Sequence, residues 1–172
     1  PSMLETGLET IAYNLNRQIS SIALFEMGKV YGQSSKGAYY ESEQLAIYLS
    51  GKQQQDGWRT KGILSDFFVA KGAATAIFNL LGMQGGAWKQ TSTNQIDYVV
   101  NKKTTGSVQA IGAKKLQSFG IKQPVFYIQF DLANLFTIYQ SKQVVYQEIS
   151  KYPLSAVFFI VPEGPVYLLH HL

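Results

Sequence analysis

Glu26 stands alone as a carboxylate in the apolar stretch Ile22–Tyr31, which reads I-A-L-F-E-M-G-K-V-Y. Taking a carboxylate out of water is costly unless a donor or a partner meets it. Glu26 is therefore expected to be paired by a basic side chain, backbone donors or an interface. Five lysines, Lys102, Lys103, Lys114, Lys115 and Lys122, fall in one segment with no acid among them. Such a segment draws a phosphate backbone by counterion release; the competing expectation is a solvated lysine-rich surface. Residues 1–100 carry eight Lys/Arg against eight Asp/Glu, and residues 101–172 seven against three, so the second part holds the whole net charge of +4. His170 and His171 have the type for a metal pair, but with no acid nearby they are expected to be inert.

Most other chemistry is missing. There is no cysteine, and arginine occurs twice, as Arg17 and Arg59. The chain has no H-E-x-x-H, no nucleophile elbow and no spaced carboxylate pair. The glycines of Gly82–Gly86 are too loosely placed to cradle a phosphate. Adenylyl transfer needs cations aimed at the charge that develops, and arginine supplies the bidentate contacts. By itself the chain does not read as a catalyst.

The elements that position these residues follow from periodicity. Leu4, Leu8, Ile11, Ala12 and Leu15 recur at helical spacing, so Ser2–Asn16 is expected to be a helix opened by a Ser2/Glu5 capping box. Gly7 either weakens it or admits a close neighbour. Ile22–Tyr31 is expected to be the central strand, with Gly28 marking a bulge or a close backbone approach. After a loop over Gly32–Ser42, Gln44–Gly51 resumes as an antiparallel strand with Leu45, Ile47 and Leu49 on one face. Trp58 is expected to pack over a sheet edge. Ser65–Leu81 is a second helix, capped by Ser65 or Asp66 and stopped by Gly82, with Phe67 and Phe78 in the core. Gln84–Thr93 reads as loop, and residues 95–101 and 107–111 as short strands joined at Thr104–Gly106. Lys114–Phe119 is a helical turn. Pro124–Leu132 is a strand with Phe126, Ile128, Phe130 and Leu132 on one face, running into a helical turn over Ala133–Phe136.

The 172 residues are one domain's worth of chain, and 46% apolar against 15% charged residues describe a globular protein with a core. The absence of cysteine fits a reducing, cytoplasmic compartment. No run reaches the roughly 18–20 apolar residues of a membrane span, so no membrane is expected as a partner. A start on Pro1 suggests an excised piece of something larger.

Four ordered blocks carry a likeness. Pro1–Gln18 (P-S-M-L-E-T-G-L-E-T-I-A-Y-N-L-N-R-Q) with Leu24–Tyr31 (L-F-E-M-G-K-V-Y) resembles the helix "LLP-x-LL … NLNR" and strand "LFE-x-G" of the bacterial phenylalanyl-tRNA synthetase beta subunit. Asp66–Gly72 (D-F-F-V-A-K-G) is similar to that family's "DFFDLKG", and Ala110–Leu132 to its "IG … FGI … FELDL" segment. The likeness spans Pro1–Phe136.

The resemblance implies an α+β fold of the class II aminoacyl-tRNA synthetase type, an antiparallel sheet flanked by helices. It implies residues 1–138 as the C-terminal part of a catalytic-like module, 139–153 as linker, and 154–172 as a divergent tail where an anticodon-binding domain would start. After Lys151–Pro153 the chain reads L-S-A-V-F-F-I-V-P-E-G-P, without the family's "R-R-D" stretch. The implied function is a non-catalytic assembly module of an (αβ)2 ligase that joins phenylalanine to tRNA using ATP and magnesium at the holoenzyme level. The catalytic alpha subunit is the implied partner, and tRNA a weak one. No catalytic, cofactor-binding or metal residue carries over. The alternatives are a tRNA-contacting module through Lys102–Lys122 and an independent small-molecule-binding domain.

Overall fold

A computed structural model describes residues 3–33, 37–53, 58–59, 62–83 and 85–140, all within the first of the chain's two units, Pro1–Lys142. In order they form α1 (Met3–Leu15), β1 (Ile22–Gln33), β2 (Tyr39–Ser50), α2 (Phe67–Leu80), β3 (Ala87–Ser92), β4 (Gln95–Val100), β5 (Lys103–Ala110), α3 (Ala113–Ser118), β6 (Val125–Asp131) and α4 (Leu132–Gln140). The strands make one antiparallel sheet in the order β1-β2-β6-β5-β4-β3.

Alternation along the strands splits the core into two layers. On one face, Leu49, Phe126, Ile128, Phe130 and Val108 pack against Ala70, Ala74 and Phe78 of α2 and Leu132 and Leu135 of α4. Phe78 stacks on Tyr98 at 4.0 Å and meets Phe130 edge-on at 5.3 Å. On the other face, Ala46, Tyr48, Val125 and Tyr127 pack against Leu8 and Ile11 of α1 and Leu116 of α3. The expected faces of β2 and β6 are the observed ones. Asp66 caps α2, its Oδ1 accepting from the Val69 amide at 2.6 Å, and Gly82 ends the helix at φ 63°.

Ile22–Tyr31 is not the central strand. It lies in β1 at the sheet's edge, and β6 occupies the middle, paired on both sides. Apolar content marks β1 for burial, but its odd-numbered residues from Ala23 to Tyr31 are exposed and its even ones turn inward. Gly28 makes no bulge: the β1–β2 register is unbroken, and a Cβ there would sit an ordinary 3.6 Å from Met3.

The loops differ too. The hairpin strands consume most of Gly32–Ser42, since β1 runs to Gln33 and β2 starts at Tyr39. Ala87–Ser92 is a strand, β3, at the opposite edge; its polar, largely exposed side chains hide the pattern. The β4–β5 turn falls at Asn101 and Lys102, both at positive φ as tight hairpin turns demand. Thr104–Gly106 therefore lie within β5, where buried Thr105 donates to the Tyr98 carbonyl. Helix α4 runs to Gln140, two residues into the expected linker. The Ser2 cap, the remainder of 139–153 and the tail with His170 and His171 lie outside the described residues.

Candidate functional site

Glu26 sits half-buried on the inward face of β1, beneath α1. Thr6 Oγ1 of the covering helix lies 3.2 Å from its carboxylate and shares its one proton with the Met3 carbonyl at 2.8 Å; among the described residues no basic side chain meets Glu26. Tyr48 lies one strand inward and Tyr127 two, their ring centroids 5.2 Å apart. The Tyr48 hydroxyl donates to the Met3 carbonyl, and its ring presses on the backbone of Gly7, where an added Cβ would meet Cζ. Gly7 is thus the close-approach glycine of α1. Burial above all, then Tyr127 and then Glu26, raises the Tyr48 phenol far above its ordinary value. Tyr127 is pushed up to about 12 by burial, with Glu26 adding to it. The space between α1 and the sheet is filled by these rings.

The five lysines do not form one patch. Lys102 and Lys103 sit at the start of β5, while Lys114, Lys115 and Lys122 follow its other end. At roughly 3.4 Å per residue the eight-residue strand separates the groups by roughly 25 Å. Lys115 donates to Glu5 Oε1 at 2.7 Å, and this pair holds the Glu5 carboxyl below its usual range. Among the described residues Lys114 and Lys122 meet no carboxylate. Trp58 packs on no sheet edge; it is 88% exposed with the Arg59 guanidinium 4.1 Å over its ring.

Two concavities lie elsewhere on the surface. The outward face of β1 and its neighbour β2 form a concavity of about 380 Å³ lined by Ala23, Leu24, Phe25, Met27, Leu45 and Ile47. Phe25 is 76% exposed and Met27 64%. Lys29 ion-pairs with Glu41 beyond this patch. The second, about 430 Å³, lies between the first turns of α2 and the β3–β4 hairpin, with Phe67, Phe68, Lys71, Gln90, Asn94 and Gln95 among its walls. Sequence reasoning picks out neither, because each joins exposed residues of elements that alternate or hide. No arginine lines either concavity, and one lysine does. A triphosphate nucleotide has no fitting set of donors in them. Among the described residues no three His, Cys, Asp or Glu gather as a metal site.

This architecture is that of the class II aminoacyl-tRNA synthetases. Two structures of pyrrolysyl-tRNA synthetase from Desulfitobacterium hafniense superpose on it with TM-scores of 0.60 and 0.56, each 19% identical, covering 81% and 80% of this chain and 50% and 48% of theirs. Within that class, the model for the phenylalanyl-tRNA synthetase beta chain CLM domain matches residues 1–132, and the chain belongs to that family. The phenylalanine–tRNA ligase beta subunit of Streptococcus pneumoniae is 30% identical over 164 residues, and that of Chlorobium luteolum 28% over 182. These alignments cover 88% and 94% of this chain but only 20% and 22% of the relatives, so the chain spans about one-fifth of their length.

Proposed function

We propose that this chain is a non-catalytic assembly module of a phenylalanine–tRNA ligase beta subunit, acting in the cytoplasm beside a catalytic alpha subunit in an (αβ)2 enzyme that uses ATP. The observation that carries the reading is the exposed apolar face of the edge strand β1. Strand edges and exposed apolar patches of this kind are normally covered or blunted in a monomer. Here Ala23, Phe25 and Met27 lie open on a twelve-residue edge strand. The test is co-expression with the cognate alpha subunit. The parent chain is expected to co-purify, and Phe25→Asp with Met27→Lys to cut recovery at least tenfold while circular dichroism stays unchanged. Co-purification of the double variant at the parental level removes this face from the assembly. Pyrophosphate exchange above background by the isolated chain refutes the non-catalytic reading.

Weak contact with tRNA belongs to the same proposal. Lysine contacts to a phosphate backbone position it without reading sequence. Changing Lys114 and Lys115 to Ala is expected to weaken binding alike for cognate and non-cognate tRNA. The log–log salt slope should flatten by at most about 1.8, at about 0.9 per duplex phosphate. Because Lys115 is engaged by Glu5, a loss nearer 0.9 is expected. Loss of the phenylalanine tRNA alone would mean that the segment reads identity.

A further inference from the structure

We infer that the cleft between α2 and the β3–β4 hairpin binds one unpaired nucleotide of an RNA strand, its base on Phe68 and its phosphate on Lys71. The block Asp66–Gly72 has duties in the fold for some of its residues: Asp66 caps the helix, and Phe67 packs against the core. Phe68 and Lys71 have none of that kind. Phe68 is 79% exposed at the mouth of the cleft, and Lys71 is three residues on, so the two share one side of the helix. The Lys71 ammonium lies 5.8 Å from the Trp88 ring and, among the described residues, meets no carboxylate.

The opposite wall is made of carboxamides and hydroxyls. Gln95 Nε2 donates to Asp97 Oδ1 at 2.8 Å, which fixes that side chain and leaves its Oε1 to accept. Gln90 and Asn94 add donors and acceptors. An open aromatic face, one cation and mixed amide groups match a base, its single phosphodiester charge and its hydrogen-bonding edge. One lysine is too little charge for a triphosphate. The volume of about 430 Å³ is that of a small-ligand site. The choice of RNA over other anions rests on the ligase reading above.

The test is fluorescence anisotropy of a short labelled oligouridylate on the whole chain at low salt, against an abasic phosphodiester oligomer of equal length. The parent is expected to prefer the oligouridylate. Phe68→Ala should weaken it about tenfold, the scale of one stacked base, leaving the salt slope unchanged. Phe68→Tyr should restore it. Lys71→Gln should lower the slope by about 0.7, the single-strand value for one phosphate. Equal affinity for both oligomers, no binding by the parent, or binding indifferent to both substitutions overturns the inference. Recovery of the alpha subunit by Phe68→Ala is expected at the parental level, so failure here and failure of the assembly reading are separate results.

Discussion

Gly7→Ala is expected to destabilise the fold, although alanine is the better helix former. Propensity alone would reward the change by about 0.8–1.0 kcal/mol. Against it stands the Tyr48 ring: a Cβ at position 7 would lie 2.1 Å from Cζ and 2.2 Å from Cε1. Tyr48 cannot swing aside, because it is 1% exposed, packed against Tyr127 and anchored to the Met3 carbonyl. Overpacking of a filled core costs typically about 1–3 kcal/mol and outweighs the propensity. At about 2–4 °C per kcal/mol for a chain of this size, the melting temperature should fall by roughly 5 °C. Gly72→Ala in α2 is the control: nothing lies within 4 Å of its Cβ position, so stability there should rise. A double-mutant cycle with Tyr48→Leu should show a coupling of about 0.5–3 kcal/mol, because the smaller side chain relieves the clash. Equal gains at Gly7 and Gly72 would mean that α1 does not press on the sheet as described.

That contrast shows what a sequence of this kind carries. The stripe of α1 and the alternation of β2 and β6 are legible because each element buries one face against a layer. Gly7 is legible as an anomaly, with two meanings that only the position of Tyr48 separates. The place of β1 is not legible, since an apolar edge strand has the composition of a central one. Nor is β3, where Trp88 is the sole apolar side chain turned onto the core layer. Without β3 the cleft beside Phe68 has no second wall, so its residues appear only as a helix start. The lysines mislead for a related reason, since closeness along the chain became distance once β5 was extended between them.

Alkaline titration should expose the other consequence of the packing beneath α1. Tyr127 is held near 12 and Tyr48 higher, both chiefly by burial, while an unfolded tyrosine loses its proton near 10. The unfolded state therefore gives up protons first as pH rises, and folding stability falls with it. The stabilisation tied to these phenols is complete below about pH 10 and is lost as pH climbs through the folded values. For Tyr127 the loss by pH 12 is about 2–3 kcal/mol, at about 1.4 kcal/mol per unit. Urea denaturation across this range should show the parent weakening steeply, with tyrosinate absorbance from the last phenols arriving together with the loss of helical signal. Tyr127→Phe should be close to parental at neutral pH and lose about 2–3 kcal/mol less between pH 9 and pH 12. Tyr48→Phe differs, because it removes a buried hydrogen bond to the Met3 carbonyl, which Thr6 Oγ1 still meets at 2.8 Å, and should cost about 0.5–1.5 kcal/mol already at pH 7. Glu26→Gln removes the nearby carboxylate that adds to both shifts, so the folded phenols should titrate at slightly lower pH and the total alkaline loss should be smaller. Parallel stability profiles for the parent and Tyr127→Phe from pH 9 to pH 12 would show that Tyr127 is not sealed between α1 and the sheet.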